Sequence, residues 1–358
     1  MSAEVAGVLP LPLGPEEITA QWLTHALSAG RPGVQVRSCR LDDAILGTSS
    51  KLRISLEYTS ATDLPTRLIV KGGFESHSPG MAWMFLNEAR FYRDVAPFVN
   101  LNVPETFFVG SDPHSHQSIV IMEDLAERSV RFCNPLAPQN RVEIGRRLRD
   151  LATFHAASWN SPEFDRGGRW AWVGTRFSAH SAAYNARFFE PSTWDHYAAM
   201  PRATAVSTGL LDREWLKSAL GRLDEISAAA DQCLIHGDMH LGNLYVDADD
   251  RPGFLDMQPA RAHWALEVAY HIGVGLDIAD RRRWEQDLLR IYLETLAEEG
   301  IRPPPFDEAW ADYIRFLAYG FFIFLINDVH FQSEAINTAN TARMGAAMLD
   351  HDTKRLLS

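Results

Sequence analysis

The sequence has few cysteines, no excess of basic residues and no long apolar segment, and each absence excludes a class of protein. Its three cysteines, Cys39, Cys133 and Cys233, lie far apart and none belongs to a CxxC pair. This pattern excludes a disulfide framework and a cysteine zinc cluster, and it suits a reducing cytosol. Lysine and arginine total 34 against 46 aspartates and glutamates, so the formal net charge is −12. An acidic chain does not favour binding to the phosphate backbone of nucleic acids or to an anionic membrane surface.

No segment of the sequence predicts insertion into a membrane. The longest apolar run, residues 316–326, is interrupted by Gly320 and is too short to span a bilayer, so a buried helix is the better interpretation. Residues 1–17 lack the basic start of an export signal and are broken by three prolines. We therefore expect a soluble, cytoplasmic protein whose partner is neither a membrane nor a nucleic acid.

The composition is typical of a globular protein, with 46% hydrophobic and 22% charged residues in a chain of 358. Such a chain is long enough for two lobes with a sizeable core. Helical periodicity predicts helices over 16–29 and 79–95. Five runs in the first half have the character of β-strands: 34–41, 51–59, 67–71, 106–109 and 118–122.

After the last of these runs the character of the sequence changes. A helix is predicted over 141–159, where Asn140 and Glu143 have the spacing of a capping box. The rest is mainly helical apart from a β-like stretch at 233–257. We expect an α+β protein with a sheet-rich lobe and a mainly helical lobe, which are residues 1–125 and 126–358 respectively.

Residues 233–258 carry the most chemical information. Two apolar runs flank a turn-forming segment, and this pattern predicts a hairpin that brings Asn243 and Asp256 roughly opposite each other. Asp238 precedes Asn243 by five residues, so two carboxylates and a carboxamide should converge. Oxygen ligands of this kind suit Mg²⁺ that also binds substrate phosphates. A neighbouring carboxylate can accept a hydroxyl proton, and phosphoryl transfer needs both parts.

The chain contains the motif HGD-x4-N, which ends at Asn243, and further on the motif LDxQ, which contains Asp256. With these two motifs it resembles the aminoglycoside phosphotransferase and choline-kinase-like superfamily. Within it, the chain looks most similar to small-molecule kinases with a CHK, or ecdysteroid-kinase-like, domain. The resemblance covers roughly residues 22–271. It implies a protein-kinase-like fold, in which a small antiparallel-sheet lobe and a helical lobe bind nucleotide in their cleft. It also implies Asp238 as catalytic base, with Asn243 and Asp256 as Mg²⁺ ligands.

A lysine and a glutamate in the first half support the same interpretation. Lys71 ends the apolar strand at 67–71, and Glu88 lies on the apolar stripe of the next predicted helix. A carboxylate on an apolar face needs a partner, because an unpaired buried charge is costly. Glu75 is nearer to Lys71 in sequence but falls in the loop after the strand. We predict a Lys71–Glu88 pair, of the kind that holds nucleotide phosphates in kinases.

The remaining nucleotide contacts are expectations from the resemblance. The family places its phosphate loop between the first two strands, where backbone N–H groups and small hydroxyls could bind phosphate oxygens. In this sequence that loop consists of Gly47, Thr48, Ser49 and Ser50. The run that ends at residue 125 resembles the interlobe hinge, so the carbonyl of Glu123 and the N–H of Leu125 are the expected partners of the adenine.

The resemblance implies an ATP- and Mg²⁺-dependent phosphotransferase acting on a hydroxyl group of a small molecule. Acidic residues of the last part of the chain are scattered among basic ones, so no acidic pocket for a polycationic aminoglycoside is evident, and a metabolite is favoured. Two alternatives remain. His236, Asp238 and His240 form an H-x-D-x-H pattern that could belong to a metal-dependent hydrolase. The chain could also be a nucleotide-binding protein that has lost catalysis.

Overall fold

The structure, a computed structural model, describes residues 10–45 and 49–357. The chain divides into two compact units. The first comprises Met1–Phe98 and Val103–Val130, and the second comprises Val99–Asn102 and Arg131–Ser358. We describe each unit by itself.

The first unit is built on a five-stranded sheet with the strand order β1-β2-β3-β5-β4. Every neighbouring pair of strands is antiparallel. Its strands and helices are α1 (Ala20–Ser28), β1 (Val36–Ile45), β2 (Ser50–Tyr58), β3 (Arg67–Gly72), α2 (Ala82–Arg90), β4 (Thr106–Asp112) and β5 (Gln117–Glu123).

One face of this sheet packs on α1. Leu52, Ile54 and Leu56 alternate along β2 and are buried in the same cluster as Trp22 and Leu23 of the helix. The period of two in the sequence therefore placed the core face of β2 correctly. The helix is shorter than the predicted 16–29, because its N-cap is Thr19, whose side chain accepts a hydrogen bond from the backbone N–H of Trp22.

The second helical segment differs from the continuous helix predicted over 79–95. Ser78–Met81 form a 3₁₀ turn, α2 follows, and Phe91–Val95 form a π-helical turn. Pro79 and Gly80 are poor residues for a regular helix interior, and Pro97 cannot continue one. The π turn still buries its apolar residues, since Phe91 and Val95 are both inaccessible to solvent.

The second unit is mainly helical. Its helices are α3 (Arg141–Ala156), α4 (Ala179–Ala186), α5 (Pro191–Ala198), α6 (Pro201–Thr204), α7 (Arg213–Ala229), α8 (Ala265–Gly275), α9 (Ile278–Glu298), α10 (Phe306–Ile326), α11 (Glu334–Asp350) and α12 (Thr353–Leu356). The capping box predicted for α3 is confirmed, because both of its reciprocal hydrogen bonds between Asn140 and Glu143 are present.

Two small sheets interrupt these helices. Strands β6 (Arg131–Phe132), β8 (Leu244–Val246) and β9 (Pro252–Phe254) form one, and β7 (Cys233–Ile235) pairs antiparallel with β10 (Ala260–Ala262) in the other. The predicted hairpin is thus confirmed as β8–β9. The strands β6 and β10 were not predicted, because three residues or fewer carry no periodic signal.

Helix α10 contains the apolar run at 316–326. In the described part of the chain it is the one helix long and apolar enough to cross a membrane, and 72% of its apolar window is buried inside the protein. That burial is typical of a core helix, as the sequence predicted. The helix ends at Ile326, where Asn327 turns to an extended conformation.

Candidate active site

The site in the second unit begins at the loop that follows β7. Gly237 has a φ of +87°, and a Cβ atom there would lie 2.0 Å from the carbonyl oxygen of Gln258. Only glycine fits this position, because both the left-handed backbone and the close approach exclude a side chain. The same two segments are joined by a 2.8 Å hydrogen bond from Gln258 N to His236 O. The glycine of the HGD motif is therefore a requirement of the loop.

Glu267, near the start of α8, fixes the loop from behind. Its Oε1 accepts a hydrogen bond from Gly237 N and its Oε2 accepts one from His236 N, both at 2.9 Å. The side chain is only 1% exposed. His155 Nε2 lies 3.0 Å from Oε2, and the Nδ1 atom of the same ring lies 2.7 Å from the hydroxyl of Tyr292. Sequence reasoning missed Glu267, although an acid within the apolar α8 is a signal of the same kind as Glu88.

Two of the histidines near this loop, His155 and His236, have structural roles. His155 is fully buried with both ring nitrogens in contact, as expected for a core histidine. His236 is also buried, and its Nδ1 accepts a 3.2 Å hydrogen bond from the backbone N–H of Asp238. The prediction that His236 holds the loop through hydrogen bonds is confirmed.

Asp238 is presented at the tip of the loop with its side chain 37% exposed. Its Oδ2 accepts a 3.1 Å hydrogen bond from Asn243 Nδ2, and its Oδ1 accepts one of 3.1 Å from the hydroxyl of Tyr270. His240 Nε2 lies 3.4 Å from Oδ2. Two neutral donors and one imidazole therefore orient a carboxylate that still reaches solvent.

The charge state of Asp238 follows from these neighbours. Desolvation alone would raise its pKa, but the nearby His240, His236 and Arg176 outweigh that effect and lower the pKa to about 2. The carboxylate is consequently ionised throughout the physiological pH range. Its ionised form can accept a hydrogen bond from an incoming hydroxyl at any such pH.

The hairpin brings Asn243 and Asp256 to its open end. Leu244 pairs with Phe254, and the backbone N–H of Leu255 donates to Asn243 O at 2.8 Å, so Asp256 follows the residue that faces Asn243. Asp256 has a φ of +53°, which turns the chain out of the strand direction. Asn243 donates from Nδ2 to both the backbone and the carboxylate oxygen of Asp238. These bonds use only Nδ2 of the side chain and leave the side-chain oxygen Oδ1 of Asn243 available as a ligand.

This donor set fits Mg²⁺. It offers the carboxamide oxygen of Asn243 and the carboxylate of Asp256, and the ionised carboxylate of Asp238 belongs to the same loop as Asn243. A small number of hard oxygen ligands is typical of Mg²⁺ that is bound together with phosphates. The H-x-D-x-H interpretation fits less well. Nδ1 of His236 and Nδ1 of His240 each accept a hydrogen bond from a backbone N–H. Among the described residues no group of three histidine, cysteine, aspartate or glutamate side chains could hold a metal ion.

In the first unit, the predicted ion pair is present. Lys71 Nζ lies 2.5 Å from Glu88 Oε1, and both side chains are at most 5% exposed. The neighbouring Val70 faces the α1 side of the sheet, so the alternation along β3 directs Lys71 to the opposite face. Glu75 is instead the acceptor of a 3.3 Å hydrogen bond from Ser50 Oγ.

The expected phosphate loop is described only in part. Gly47 and Thr48 lie outside the described residues. Ser49 precedes β2, and Ser50 is its buried first residue, paired with Gly72. The Ser50 hydroxyl binds Glu75, a carboxylate that would repel a phosphate, so its side chain is not presented as a phosphate ligand in this conformation.

The expected hinge residues lie at the end of β5. Glu123 is its last residue, and Leu125 starts a short 3₁₀ turn that Asp124 caps by accepting from Ala126 N. Asp124 is buried and forms a 2.5 Å ion pair with Arg53 Nε of β2. This pair, which the sequence did not predict, fixes the backbone between Glu123 and Leu125.

Comparison with known proteins places these features in a family. A model of the phosphotransferase enzyme family, APH, matches residues 79–304, which is more than half of the chain. The chain belongs to the phosphotransferase enzyme family. The matched range contains Glu88, Asp238, Asn243 and Asp256. The resemblance inferred from the HGD-x4-N motif is thereby confirmed. Curated protein sequences give no match.

Solved structures show which fold this phosphotransferase has. An APH(2")-type phosphotransferase in complex with GDP and kanamycin is similar, with a TM-score of 0.55 at 10% identity over 92% of this chain and 98% of the other. A choline kinase from Cryptosporidium parvum has a TM-score of 0.51 at 10% identity, over 91% and 95%. A candidate fructosamine-3-kinase from Thermobifida fusca has 0.51 at 19%, over 92% and 98%. The predicted protein-kinase-like α+β fold is confirmed.

Proposed function

We propose that this phosphotransferase transfers the terminal phosphoryl group of ATP, or of another nucleoside triphosphate, to a hydroxyl group of a small molecule. The observation that carries the proposal is the Asp238 carboxylate, which is ionised, half-exposed and held by Asn243 and Tyr270 on a loop fixed by Glu267. Phosphoryl transfer requires such a group to orient the nucleophile. The kanamycin complex of a similar fold supports a hydroxylated acceptor.

In the proposed step, Asp238 accepts a hydrogen bond from the acceptor hydroxyl. The hydroxyl oxygen forms a bond to the terminal phosphorus while the bond from that phosphorus to the bridging oxygen breaks, and the nucleoside diphosphate leaves. The hydroxyl proton passes to Asp238 and then to water. With a pKa of about 2 the carboxylate is a weak base, so its main contribution is orientation, with proton transfer late in the step.

The ion pair of the first unit supports a nucleotide site. A lysine paired with a buried glutamate is the arrangement that kinases use to contact nucleotide phosphates, and Lys71 and Glu88 form such a pair. Similar folds have been solved with GDP, which supports nucleotide binding in this chain. We propose the loop at 47–50, with the Ser50 hydroxyl released from Glu75, and the hinge residues Glu123 and Leu125 as further contacts of the nucleotide.

Asn243 and Asp256 would hold Mg²⁺ through their side-chain oxygens. When bound with the nucleotide, the ion would supply neutralisation of the phosphate charge. The protein's own contribution is to keep the two ligands at the open end of the β8–β9 hairpin, beside the Asp238 loop. Retention of Asp238 and both ligands supports an active enzyme over a nucleotide-binding protein without catalysis.

Substitution of Asp238 tests the proposal. A panel of hydroxylated metabolites and aminoglycosides is screened with γ-labelled ATP, and Asp238→Asn is then compared with the wild type on any acceptor found. We expect turnover to fall by roughly 10²–10⁴-fold, the range of positioned general bases, with nucleotide affinity retained. The control is Asp249→Asn, in the exposed turn of the same hairpin. Full activity of Asp238→Asn with every acceptor would contradict the proposal.

A further inference from the structure

A small pocket that opens to solvent lies beside Asp238 in the second unit. Arg176, Tyr270, Tyr319 and Glu267 are its other polar or charged lining residues. Tyr270 donates to Asp238 Oδ1, and its ring centroid lies 6.4 Å from that of Tyr319. The remaining wall is largely apolar and includes Ile323. An acceptor whose hydroxyl reaches Asp238 would therefore also lie beside Arg176, since both residues line this pocket.

The position of Arg176 is fixed by its backbone and by one side-chain contact. Arg261 O accepts a 2.9 Å hydrogen bond from Arg176 N, and Arg261 N donates to Gly174 O at the same distance. The Nε–H of Arg176 donates to the hydroxyl of Tyr319 at 2.5 Å, and the guanidinium carbon lies 5.5 Å from the centroid of that ring. The guanidinium is thus held in one orientation beside the pocket.

The two Nη groups of Arg176 form no hydrogen bond or ion pair with any residue that the structure describes. Across residues 10–45 and 49–357, no carboxylate lies within the 4.0 Å of an ion pair with this guanidinium, and its Nη atoms form no hydrogen bond. Glu267 also lines the pocket, but both of its oxygens already accept backbone hydrogen bonds. A half-buried guanidinium with unused N–H groups is suited to bind a planar anion in two parallel hydrogen bonds.

Four carboxylates in the last part of the chain that could attract a polycation are neutralised by arginines, whereas Asp328 contacts His330 and Asp307 and Glu308 are exposed. Asp312 contacts Arg315, Glu334 contacts Arg202, Asp350 contacts Arg281 and Arg282, and Asp352 contacts Arg355. These acids are used in the fold of the second unit. They therefore supply no cluster of free negative charge for a cationic acceptor.

We infer that the acceptor is a hydroxylated anion, which presents its hydroxyl to Asp238 and binds the Nη groups of Arg176 through a carboxylate or phosphate ester. This inference rests on the proposed phosphotransferase function and names its substrate class. Tyr270 and Tyr319 also line this pocket, and Tyr319 orients Arg176 through the hydrogen bond that it accepts from Nε.

A matched series of polyols built on one six-carbon chain tests the charge preference. Gluconate carries a carboxylate, sorbitol 6-phosphate a phosphate ester, sorbitol no charge and N-methylglucamine a positive charge. We expect kcat/KM for phosphorylation to be highest for one of the two anions, and the better anion distinguishes carboxylate from phosphate recognition. Equal or faster phosphorylation of sorbitol or N-methylglucamine would overturn the inference and leave the phosphotransferase function standing.

Substitution of the arginine provides the second arm. Arg176→Gln should raise KM for the preferred anion by about 10- to 100-fold, as expected for a charged hydrogen-bonded pair, and should affect KM for sorbitol much less. Arg176→Lys should restore part of the affinity, and Tyr319→Phe should raise KM less than Arg176→Gln does. Arg355→Gln, at an exposed arginine paired with Asp352, is the control.

The same variants separate an acceptor contact from a structural role. If Arg176→Gln lowered kcat/KM equally for the anion and for sorbitol, Arg176 would act only through the fold or through its charge on Asp238, and the inference would be wrong. Melting temperatures of Arg176→Lys and Tyr319→Phe identify variants that are simply unfolded. Failure of the wild type to bind ATP would instead contradict the proposed function itself.

Discussion

Glu267 offers the sharpest test of how the Asp238 loop is held. Its two carboxylate oxygens accept hydrogen bonds from two consecutive backbone N–H groups, those of His236 and Gly237. Glu267→Gln keeps the shape of the side chain but leaves one oxygen. Whichever way the amide is oriented, its NH₂ group must face one of the two backbone donors. The substitution therefore breaks one hydrogen bond and leaves a buried N–H group unsatisfied.

The size of the effect can be worked out from these contacts. An unsatisfied buried donor costs about 1–3 kcal/mol, and the loss of charge weakens the remaining bond by roughly half. We expect the free energy of unfolding of the second unit to fall by about 2–5 kcal/mol, which corresponds to a melting temperature lower by roughly 5–15 °C for a unit of this size. As a positioning residue for Asp238, Glu267 should also affect turnover more than nucleotide affinity.

The dependence on pH adds a second readout. Desolvation raises the pKa of Glu267, but the hydrogen bond and charge of His155, with the His236 contacts, outweigh it and lower the pKa. A carboxylate with a lowered pKa stabilises the fold fully above the ordinary glutamate value, about 4.3, and this stabilisation is lost as pH falls through the folded-state value. The difference between the wild type and Glu267→Gln should therefore shrink below about pH 4.

Urea and thermal unfolding, together with hydrogen exchange of the amides at 236–238, measure these effects. Glu294→Gln, an exposed glutamate of α9, is the matched control and should change stability by no more than about 0.5 kcal/mol. If Glu267→Gln unfolded like the wild type and its loop amides exchanged at the same rate, the loop would be held by other contacts and the reasoning would be refuted.

Two further predictions concern the ion pair and the metal ligands. Lys71→Met should lower the melting temperature as well as turnover, because breaking a buried ion pair from one side costs up to about 3–5 kcal/mol. Adding Glu88→Gln should restore part of the stability but not the activity. Purely additive stability effects in this double-mutant cycle would mean that the two residues are not coupled. Calorimetry should show weak Mg²⁺ binding without nucleotide and tighter binding with ATP, and Asp256→Ala should remove this increase in Mg²⁺ affinity. Tight Mg²⁺ binding to the nucleotide-free protein that Asp256→Ala leaves unchanged would contradict the assignment of Asp256 as a ligand.

Much of the fold could be predicted from the sequence because its elements carry strong local signals. The clean alternation in β2 and the capping box of α3 each identify an element without reference to the rest of the chain. The hairpin β8–β9 follows from its turn-forming residues. The short strands β6 and β10 and the π turn after α2 could not be predicted, since tertiary contacts rather than periodicity determine them.

The candidate site was predictable where spacing along the chain decides the geometry. Asp238 and Asn243 lie five residues apart in one loop, and they are in contact. Arg176 and Tyr319 were missed because they join the pocket from distant segments, 62 residues before and 81 residues after Asp238. An arginine in an irregular segment carries no sequence signal for a site, and only the structure shows that Arg176 lines the pocket beside Asp238.

The two buried glutamates show why an acid on an apolar helix is worth pursuing in a sequence. Glu88 of α2 and Glu267 of α8 are each at most 4% exposed, and an ionised carboxylate there is tolerated only when donors satisfy it. Glu88 contacts the Nζ of Lys71, and Glu267 contacts the backbone of the loop that presents Asp238. In each unit the cost of burying a charge is offset by contacts to one functional group. The same cost opposes alternative positions, because any displacement of the lysine or the loop would leave that charge without its donors.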